Sequence, residues 1–175
     1  MIEPSSEELA AKDAIRDVVM RYCRGVDRLD VELLKTCYHS DSYDDHGHFK
    51  GNGHDFAEFI VESLPKRTHH STHSVGNVLI ELDVNNPDRA TAESYSLAYL
   101  RRTADDGTEW LDFFSGRYVD RFEKREGDWR IAHRVVVHDW SASASLDGTS
   151  FPLPMDTFIQ GLRGRSDLIY LEEEI

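Results

Sequence analysis

The chain has 175 residues, of which 33 are acidic and 20 basic, giving a formal charge of −13 at neutral pH. This length suits one domain with a single hydrophobic core. The acidic balance, without a basic stripe, argues against nucleic acid and against an anionic membrane surface as partners, and no segment approaches the roughly 18 apolar residues of a membrane span.

The N-terminal stretch MIEPSSEELAAKD has neither the basic nor the apolar region of a signal peptide. Cys23 and Cys37 are the only cysteines. Both fall in predicted helices and are expected to be buried free thiols in a reducing compartment. We therefore expect a cytoplasmic protein. No CxxC motif is present, which argues against a thiolate zinc site.

The first third of the chain has the spacing of helices. Ser5 followed by Glu8 fits an N-terminal capping box, and apolar residues then recur at helical intervals through Val26. Asp30 is predicted to cap a short second helix. After a short strand or loop in SDSYDDHGHFKGNG, a third helix is predicted, ending at Pro65.

The pattern changes to alternation near residue 70, with strands predicted at 78–84, 89–103, 110–122 and 129–140. Helices followed by long strands predict an α+β fold. We expect three N-terminal helices packed on a strongly curved, mainly antiparallel sheet that forms a cone-shaped pocket. Residues 1–140 are assigned to this domain, and residues 141–175 to a C-terminal tail that wraps the domain or a neighbouring subunit.

Two charged residues lie where the local pattern is apolar. Asp27 shares a helical stripe with Val19 and Cys23, near a helix C-terminus where the macrodipole disfavours negative charge. Arg134 shares a strand face with Val136. A solvated surface position would explain Asp27 and a structural ion pair would explain Arg134, whereas a shared pocket would explain both. The pattern alone leaves these alternatives open.

The segment RTHHSTHSVGN places His69, His70 and His73 close together. His73 is out of phase with the alternating residues of the strand that follows, and a bulge at Gly76 would turn it toward the pocket. His69 and His70 are expected in a loop.

A metal site is the alternative interpretation of the histidines, since His46 and His48 would lie on one face of a strand. However, the HxxxH spacing of His69 and His73 works best on a helix, and a carboxylate or further histidine on a neighbouring element is missing from the pattern. We predict no metal.

Four segments in this order resemble a SnoaL-like member of the nuclear transport factor 2-like superfamily: AIRDVVMRYCRGVDRLDVELL, YDDHGHFKG, STHSVGNVLIEL and SGRYVDRFEKREGDWRIAHRVV. The pattern is most similar to the dehydrochlorinase, scytalone dehydratase and bile-acid dehydratase group. That fold hosts lyases, isomerases, cyclases and non-enzymatic binders.

The resemblance implies four catalytic residues. Asp27 and His73 would form the aspartate–histidine pair in which histidine is the base, and Arg134 would correspond to a late-strand arginine of the dehydrochlorinase. Tyr22 stands where the dehydrochlorinase has a lysine, and a tyrosine at this position resembles the two dehydratases. Ala98 stands where the bile-acid enzyme has a further carboxylate, which argues against that enzyme's own reaction.

A histidine base with its second nitrogen held by a carboxylate suits removal of a proton from carbon near neutral pH. Arg134 or Tyr22 would stabilise the negative charge that develops, or Tyr22 would protonate a departing hydroxide. The expected substrate-binding residues form an aromatic wall: Tyr43, His46, Tyr95, Phe113, His138 and Trp140.

We therefore predict a cofactor-independent lyase, of the dehydratase type, acting on a small hydrophobic aromatic, polycyclic or steroid-like molecule. The alternatives are an isomerase or cyclase, a retro-aldol lyase that releases formaldehyde, and a non-enzymatic module that binds an apolar ligand. No nucleic acid, membrane or cofactor is expected. The resemblance, with long strands that need covering, implies a homodimer or homotrimer.

Overall fold

The computed structural model describes residues 3–148 and 153–171. Its helices are α1 (Ser6–Arg28), α2 (Val31–Thr36) and α3 (Gly53–Ser63). Its strands are β1 (Tyr38–Asp45), β2 (Lys50–Asn52), β3 (His70–Asp83), β4 (Asn86–Thr103), β5 (Glu109–Arg125) and β6 (Asp128–Ser145). Single 3-10 turns cover Leu64–Lys66, Met155–Thr157, Gly164–Ser166 and Leu168–Tyr170.

The predicted helix starts are confirmed. Ser5 and Glu8 form a capping box, in which Ser5 Oγ accepts from the Glu8 amide at 3.2 Å and Glu8 accepts from the Ser5 amide at 2.6 Å. Asp30 caps α2 by accepting from the Leu33 amide at 3.1 Å. Between these helices Leu29 adopts a left-handed conformation (φ 55°), which ends α1 and turns the chain.

The six strands form one sheet in the order β2-β1-β6-β5-β4-β3. All neighbouring pairs are antiparallel except β1 and β6, which are parallel. The helices pack on one face of this curved sheet, and the core lies between the two layers. The predicted α+β architecture is therefore confirmed, with one parallel pair as the departure from a pure meander.

The strand that carries His73 is longer than predicted, since β3 begins at His70. His70, expected in a loop, is therefore a strand residue. The register of β3 against β4 shifts between Val75 and Val78, where one extra residue is accommodated beside Gly76. This bulge reverses the alternation, so His73 and Ile80 both face the helices although one number is odd and the other even. The sequence left a bulge at Gly76 open as one possibility, and the register shift shows that it is present.

The C-terminal segment packs against the end of α1. Arg28 pairs with Asp167 at 3.3 Å, and Arg165 approaches Asp30 at 3.4 Å. β6 continues to Ser145, so the boundary expected at residue 140 lies within a strand. Parts of the expected tail, residues 149–152 and 172–175, lie outside the described residues. None of the described helices is long and apolar enough to span a membrane.

Candidate active site

The aspartate on α1 and the histidine on β3 are in direct contact. One Asp27 oxygen accepts from His73 Nδ1 at 2.7 Å, and the other accepts from the His73 backbone amide at 2.7 Å. Both side chains are nearly buried, at 12% and 13% exposure. Asp27 looked unfavourable in its apolar helical stripe, and its partner explains the position. That partner, His73, lies 46 positions further along the chain.

The environment keeps the Asp27 carboxylate ionised. Burial raises the pKa of Asp27, but the side-chain hydrogen bond, the charge of His73 and the backbone hydrogen bond outweigh burial, and the net pKa lies below its ordinary value. A carboxylate only accepts hydrogen bonds, so His73 carries its hydrogen on Nδ1. Nε2 then presents a lone pair, and it has no partner within residues 3–148 and 153–171.

His73 lies on the wall of a cavity of about 480 Å³ between the helices and the sheet. This volume is within the range of small-molecule sites, roughly 300–1,000 Å³. The wall is mainly apolar and aromatic, with three charged side chains among the lining residues. The lining residues include Tyr22, Val26, His46, Phe56, Ile60, Ala98, Leu100, Phe114, Tyr118 and Val136, and the charged ones are Arg67, Arg102 and Asp112.

A second aspartate–histidine pair lies on the same wall. His46 Nδ1 contacts Asp44 Oδ1, and His46 Nε2 is 2.9 Å from the Tyr22 hydroxyl. Asp44 is fully buried, and His46 is 13% exposed with its ring stacked on Phe56 at 4.0 Å. His46 was predicted only as a substrate-binding residue, and its carboxylate partner was missed. The Asp44-x-His46 spacing was the available signal.

Arg134 is the predicted catalytic residue whose position differs most from expectation. It is fully buried and absent from the cavity lining. Its guanidinium makes two hydrogen bonds of 2.7 Å to Asp120 and lies 4.2 Å from the ring centres of both Tyr22 and Tyr118. The expectation that Arg134 reaches the bound molecule is therefore wrong, because Asp120 and two tyrosine rings enclose it. Its charge lies over the rings of Tyr22 and Tyr118, and this cation–π contact stabilises their positions.

Five of the six expected wall residues also lie outside the cavity. Alternation places Ser96, Ala98 and Phe114 inward, so their neighbours point outward. Tyr43 is 39% exposed, Tyr95 48% and Trp140 52%, and Phe113 stacks on Trp140 at 5.0 Å. His138 is exposed, and its ring lies 5.2 Å from the ring of Phe114. Of the expected wall, His46 alone lines the cavity.

Most of the apolar lining residues were not predicted, and neither were three polar residues at or behind the wall. Tyr118 lines the cavity and its oxygen accepts from Ser96 Oγ at 3.0 Å. The Ser71 side chain helps to lower the pKa of Asp27, and Arg163 of the C-terminal segment donates to Ser71 Oγ at 3.1 Å. Tyr118 was detectable from its strand face, whereas the Arg163 contact joins residues 92 positions apart and has no local signal.

The other histidines do not assemble a ligand set in the described part of the chain, where no three His, Cys, Asp or Glu side chains gather as metal ligands. His69 pairs with Glu109 at 3.0 Å, and His48 contacts the ring of Phe59. The expectation of a metal-free site remains a prediction.

Comparison with known proteins gives one family and a shared fold. A family described as "SnoaL-like domain" matches residues 7–135. No curated protein matches the chain.

Among solved structures, a hexachlorocyclohexane dehydrochlorinase from Novosphingobium barchaimii is 21% identical with a TM-score of 0.68, covering 85% of this chain and 98% of that chain. A protein described as a scytalone dehydratase of Novosphingobium aromaticivorans is 20% identical, with a TM-score of 0.67 and coverage of 83% and 98%. A Mycobacterium tuberculosis protein of unknown function is 26% identical, with a TM-score of 0.65 and coverage of 78% and 76%. At these identities the likeness concerns the fold.

Proposed function

The chain belongs to the SnoaL-like domain family, and from this premise we propose that it is a cofactor-independent lyase in which the Asp27–His73 pair is the base. The proposed reaction is a dehydratase-type elimination on a small hydrophobic aromatic, polycyclic or steroid-like molecule. Two structural relatives are described as a dehydrochlorinase and a dehydratase, both names of elimination enzymes. Their low identity makes them support for the class of reaction, not for a substrate.

One observation carries the proposal: a histidine whose inner nitrogen is held by a nearly buried carboxylate lies on the wall of an apolar cavity, and its outer nitrogen has no partner among the described residues. Asp27 fixes the tautomer of His73 through the 2.7 Å contact at Nδ1. The same carboxylate stabilises the imidazolium that forms when Nε2 takes a proton. A module that only encloses an apolar ligand has no need of such a pair, because a buried polar pair costs desolvation energy.

The reaction follows from this geometry. His73 Nε2 removes a proton from a carbon next to an activating carbonyl, and the electron pair of the C–H bond becomes part of an enolate. The enolate then expels hydroxide from the neighbouring carbon, so a C=C bond forms as the C–O bond breaks. The hydroxide takes the proton from His73 and leaves as water, which returns the base to its starting form.

The enolate oxygen needs a hydrogen-bond donor on the wall of the cavity. We assign this role to Tyr118, and the assignment is supported by its position in the cavity lining and by its oxygen, which already accepts from Ser96. Its own hydrogen remains available to the bound molecule. A well-placed donor of this kind contributes about 2.7–4 kcal/mol to stabilisation of the transition state.

Product analysis tests the proposal. A panel of β-hydroxy aryl ketones is incubated with the wild type, with His73→Ala and with His70→Ala, a matched control on an exposed histidine of the same strand. The wild type and the control should yield the product that has lost water, detected by mass spectrometry, and His73→Ala should not. Equal turnover by His73→Ala would overturn the proposal. Binding of flat aromatic molecules without any product would favour the ligand-binding alternative.

A further inference from the structure

Four side chains, of which three are buried and one is 13% exposed, form a chain of hydrogen bonds that ends at the cavity. The Tyr38 hydroxyl donates to Asp44 Oδ2 at 2.7 Å, and Asp44 Oδ1 contacts His46 Nδ1. His46 Nε2 is 2.9 Å from the hydroxyl of Tyr22, which lines the cavity together with His46. The base assigned above uses none of these groups.

The direction of each hydrogen bond follows from what each group is able to donate. Asp44 receives a hydrogen from Tyr38 on one oxygen, and as a carboxylate it accepts on the other, so His46 carries its hydrogen on Nδ1. Burial lowers the pKa of His46 and outweighs the hydrogen bond to Asp44, which keeps the ring neutral. Nε2 is then an acceptor.

The Tyr22 hydroxyl is the donor in the last link, since a neutral Nε2 without hydrogen is only able to accept. Burial raises the pKa of Tyr22 well above its ordinary value, so the phenol keeps this hydrogen. Arg134 lies 4.2 Å behind the Tyr22 ring and offers no acceptor. The hydrogen therefore points at His46, and the oxygen faces the cavity with lone pairs only.

We propose that Tyr22 is a hydrogen-bond acceptor that selects a bound molecule carrying a hydroxyl group. This rests on the proposed function in so far as both assign the bound molecule to the cavity beside His73. The substrate class it names is a flat apolar molecule with a free alcohol or phenol as well as the reacting carbon. An ether or a halide at that position has no hydrogen to donate and leaves the Tyr22 oxygen unpaired in an apolar wall.

The selected hydroxyl is a retained group of the substrate. A departing hydroxide needs a hydrogen-bond donor, and Tyr22 in this arrangement is an acceptor. Tyr22 would therefore accept a hydrogen bond from the substrate, whereas from the sequence we expected it to protonate a departing hydroxide. The site then contains an acceptor at Tyr22, a donor at Tyr118 and a base at His73, and these three mark separate polar positions on one substrate.

The tautomer of His46 tests the hydrogen directions without any ligand. In protein labelled with a heavy nitrogen isotope in histidine, two-bond proton–nitrogen NMR spectra distinguish the two tautomers and the imidazolium. We expect His46 near neutral pH to have hydrogen on Nδ1 and a bare Nε2, with assignment by comparison to His46→Gln. A hydrogen on Nε2, alone or with one on Nδ1, would overturn the proposal, because Tyr22 would then be free to donate.

A ligand pair tests the selection itself. The probes are β-naphthol and its methyl ether, titrated into the wild type, Tyr22→Phe and Tyr43→Phe, the last being a matched control on an exposed tyrosine. We expect β-naphthol to bind about tenfold more tightly than the ether in the wild type and the control, and the difference to disappear in Tyr22→Phe. The proposal is overturned if β-naphthol binds no better than the ether, whether both bind or neither does.

These outcomes are separable from those of the proposed function. The His46 spectrum and the β-naphthol preference do not involve proton removal by His73, so both hold in His73→Ala if only the lyase proposal fails. Conversely, a wild type that dehydrates the ketones while His46 carries its hydrogen on Nε2 would retain the lyase proposal and remove this one.

Discussion

Two aspartate–histidine pairs lie on the wall of one cavity and differ in what the outer ring nitrogen meets. In each pair Nδ1 contacts an aspartate, and both histidine side chains are 13% exposed. His73 lines the cavity and its Nε2 has no partner among the described residues, whereas His46 Nε2 is 2.9 Å from the Tyr22 hydroxyl. The same pair of residue types thus gives a base in one place and the support of a tyrosine in the other.

The surroundings explain why the pairs differ. Asp27 lies at the end of α1, near Ser71 and the C-terminal Arg163, and is 12% exposed. Asp44 is completely buried and takes a hydrogen bond from Tyr38. Both histidines line the cavity, but the Tyr22 hydroxyl already occupies Nε2 of His46, whereas Nε2 of His73 is left for a bound molecule. The partner of Nε2 therefore matters more than the pair itself.

Breaking the first pair should have the largest effect. Asp27→Asn should lower turnover by about 10³- to 10⁴-fold, because an amide favours the wrong tautomer of His73. Adding His73→Ala should cause little further loss, since the two residues act as one unit. Steady-state kinetics on a converted β-hydroxy aryl ketone measures this, with Asp17→Asn on the exposed face of α1 as control. Losses that multiply in the double variant would contradict the pairing.

The buried ion pair behind Tyr22 should dominate stability. Asp120→Asn leaves the guanidinium of Arg134 uncompensated at zero exposure, and we expect a loss of about 3–5 kcal/mol in the free energy of unfolding. Asp41→Asn removes the exposed partner of Arg125 and should cost less than about 1 kcal/mol. Denaturant unfolding of both variants gives the comparison, and equal losses would show that burial of the pair contributes nothing.

The contrast between the pairs extends to pH. The pKa of His46 is lowered below 6.5, so the unfolded chain binds the proton at a higher pH than the folded chain. Stability from His46 is complete above pH 6.5 and is lost as pH falls through the folded-state pKa, by at most about 1.4 kcal/mol per pH unit. The pKa of Asp27 is also lowered in the folded chain, so the stability that Asp27 contributes is complete above its ordinary pKa of 3.8 and is lost only as the pH falls below that value.

Unfolding free energies measured as the pH is lowered from neutrality test this. His46→Gln should flatten the dependence just below pH 6.5, where the ordinary histidine pKa lies, while His70→Gln, on an exposed histidine, should leave it unchanged. Parallel curves for the wild type and His46→Gln would mean that His46 titrates alike in the folded and unfolded chain.

The smallest effect on turnover is expected from the C-terminal Arg163, which contacts the residues next to Asp27. Arg163→Met removes the donor to Ser71 Oγ and to the Thr68 carbonyl, at 3.1 and 2.6 Å, and should lower turnover by the equivalent of about 1 kcal/mol. Arg165→Met, on a side chain that is 70% exposed, is the control and should change little. If both variants behave alike, the C-terminal segment does not support the base.

The site residues that could be predicted from the sequence are those that interrupt the regular apolar pattern of their own helix or strand. Asp27 was conspicuous because its stripe is apolar, and Gly76 because His73 was out of phase. Arg134 was conspicuous too, but its partner Asp120 lies on the neighbouring strand and its role depends on register. Trp140 was expected on the cavity wall, but the register of β6 shifts by one residue opposite Ser115 and Gly116. After His138 the alternation is therefore reversed, and the Trp140 side chain lies on the outer face of the sheet. Such shifts depend on pairing between strands, which a single strand's pattern does not contain.

The most direct test of the central claim follows proton removal alone, without a leaving group. α-Tetralone, a flat ketone with acidic hydrogens next to its carbonyl, is incubated in deuterium oxide with the wild type, His73→Ala and His46→Gln, and its uptake of deuterium is followed by NMR. The account predicts exchange well above the buffer rate for the wild type, exchange retained in His46→Gln, and no catalysis by His73→Ala. Exchange by His73→Ala at the wild-type rate, or a wild type no faster than buffer, would contradict it.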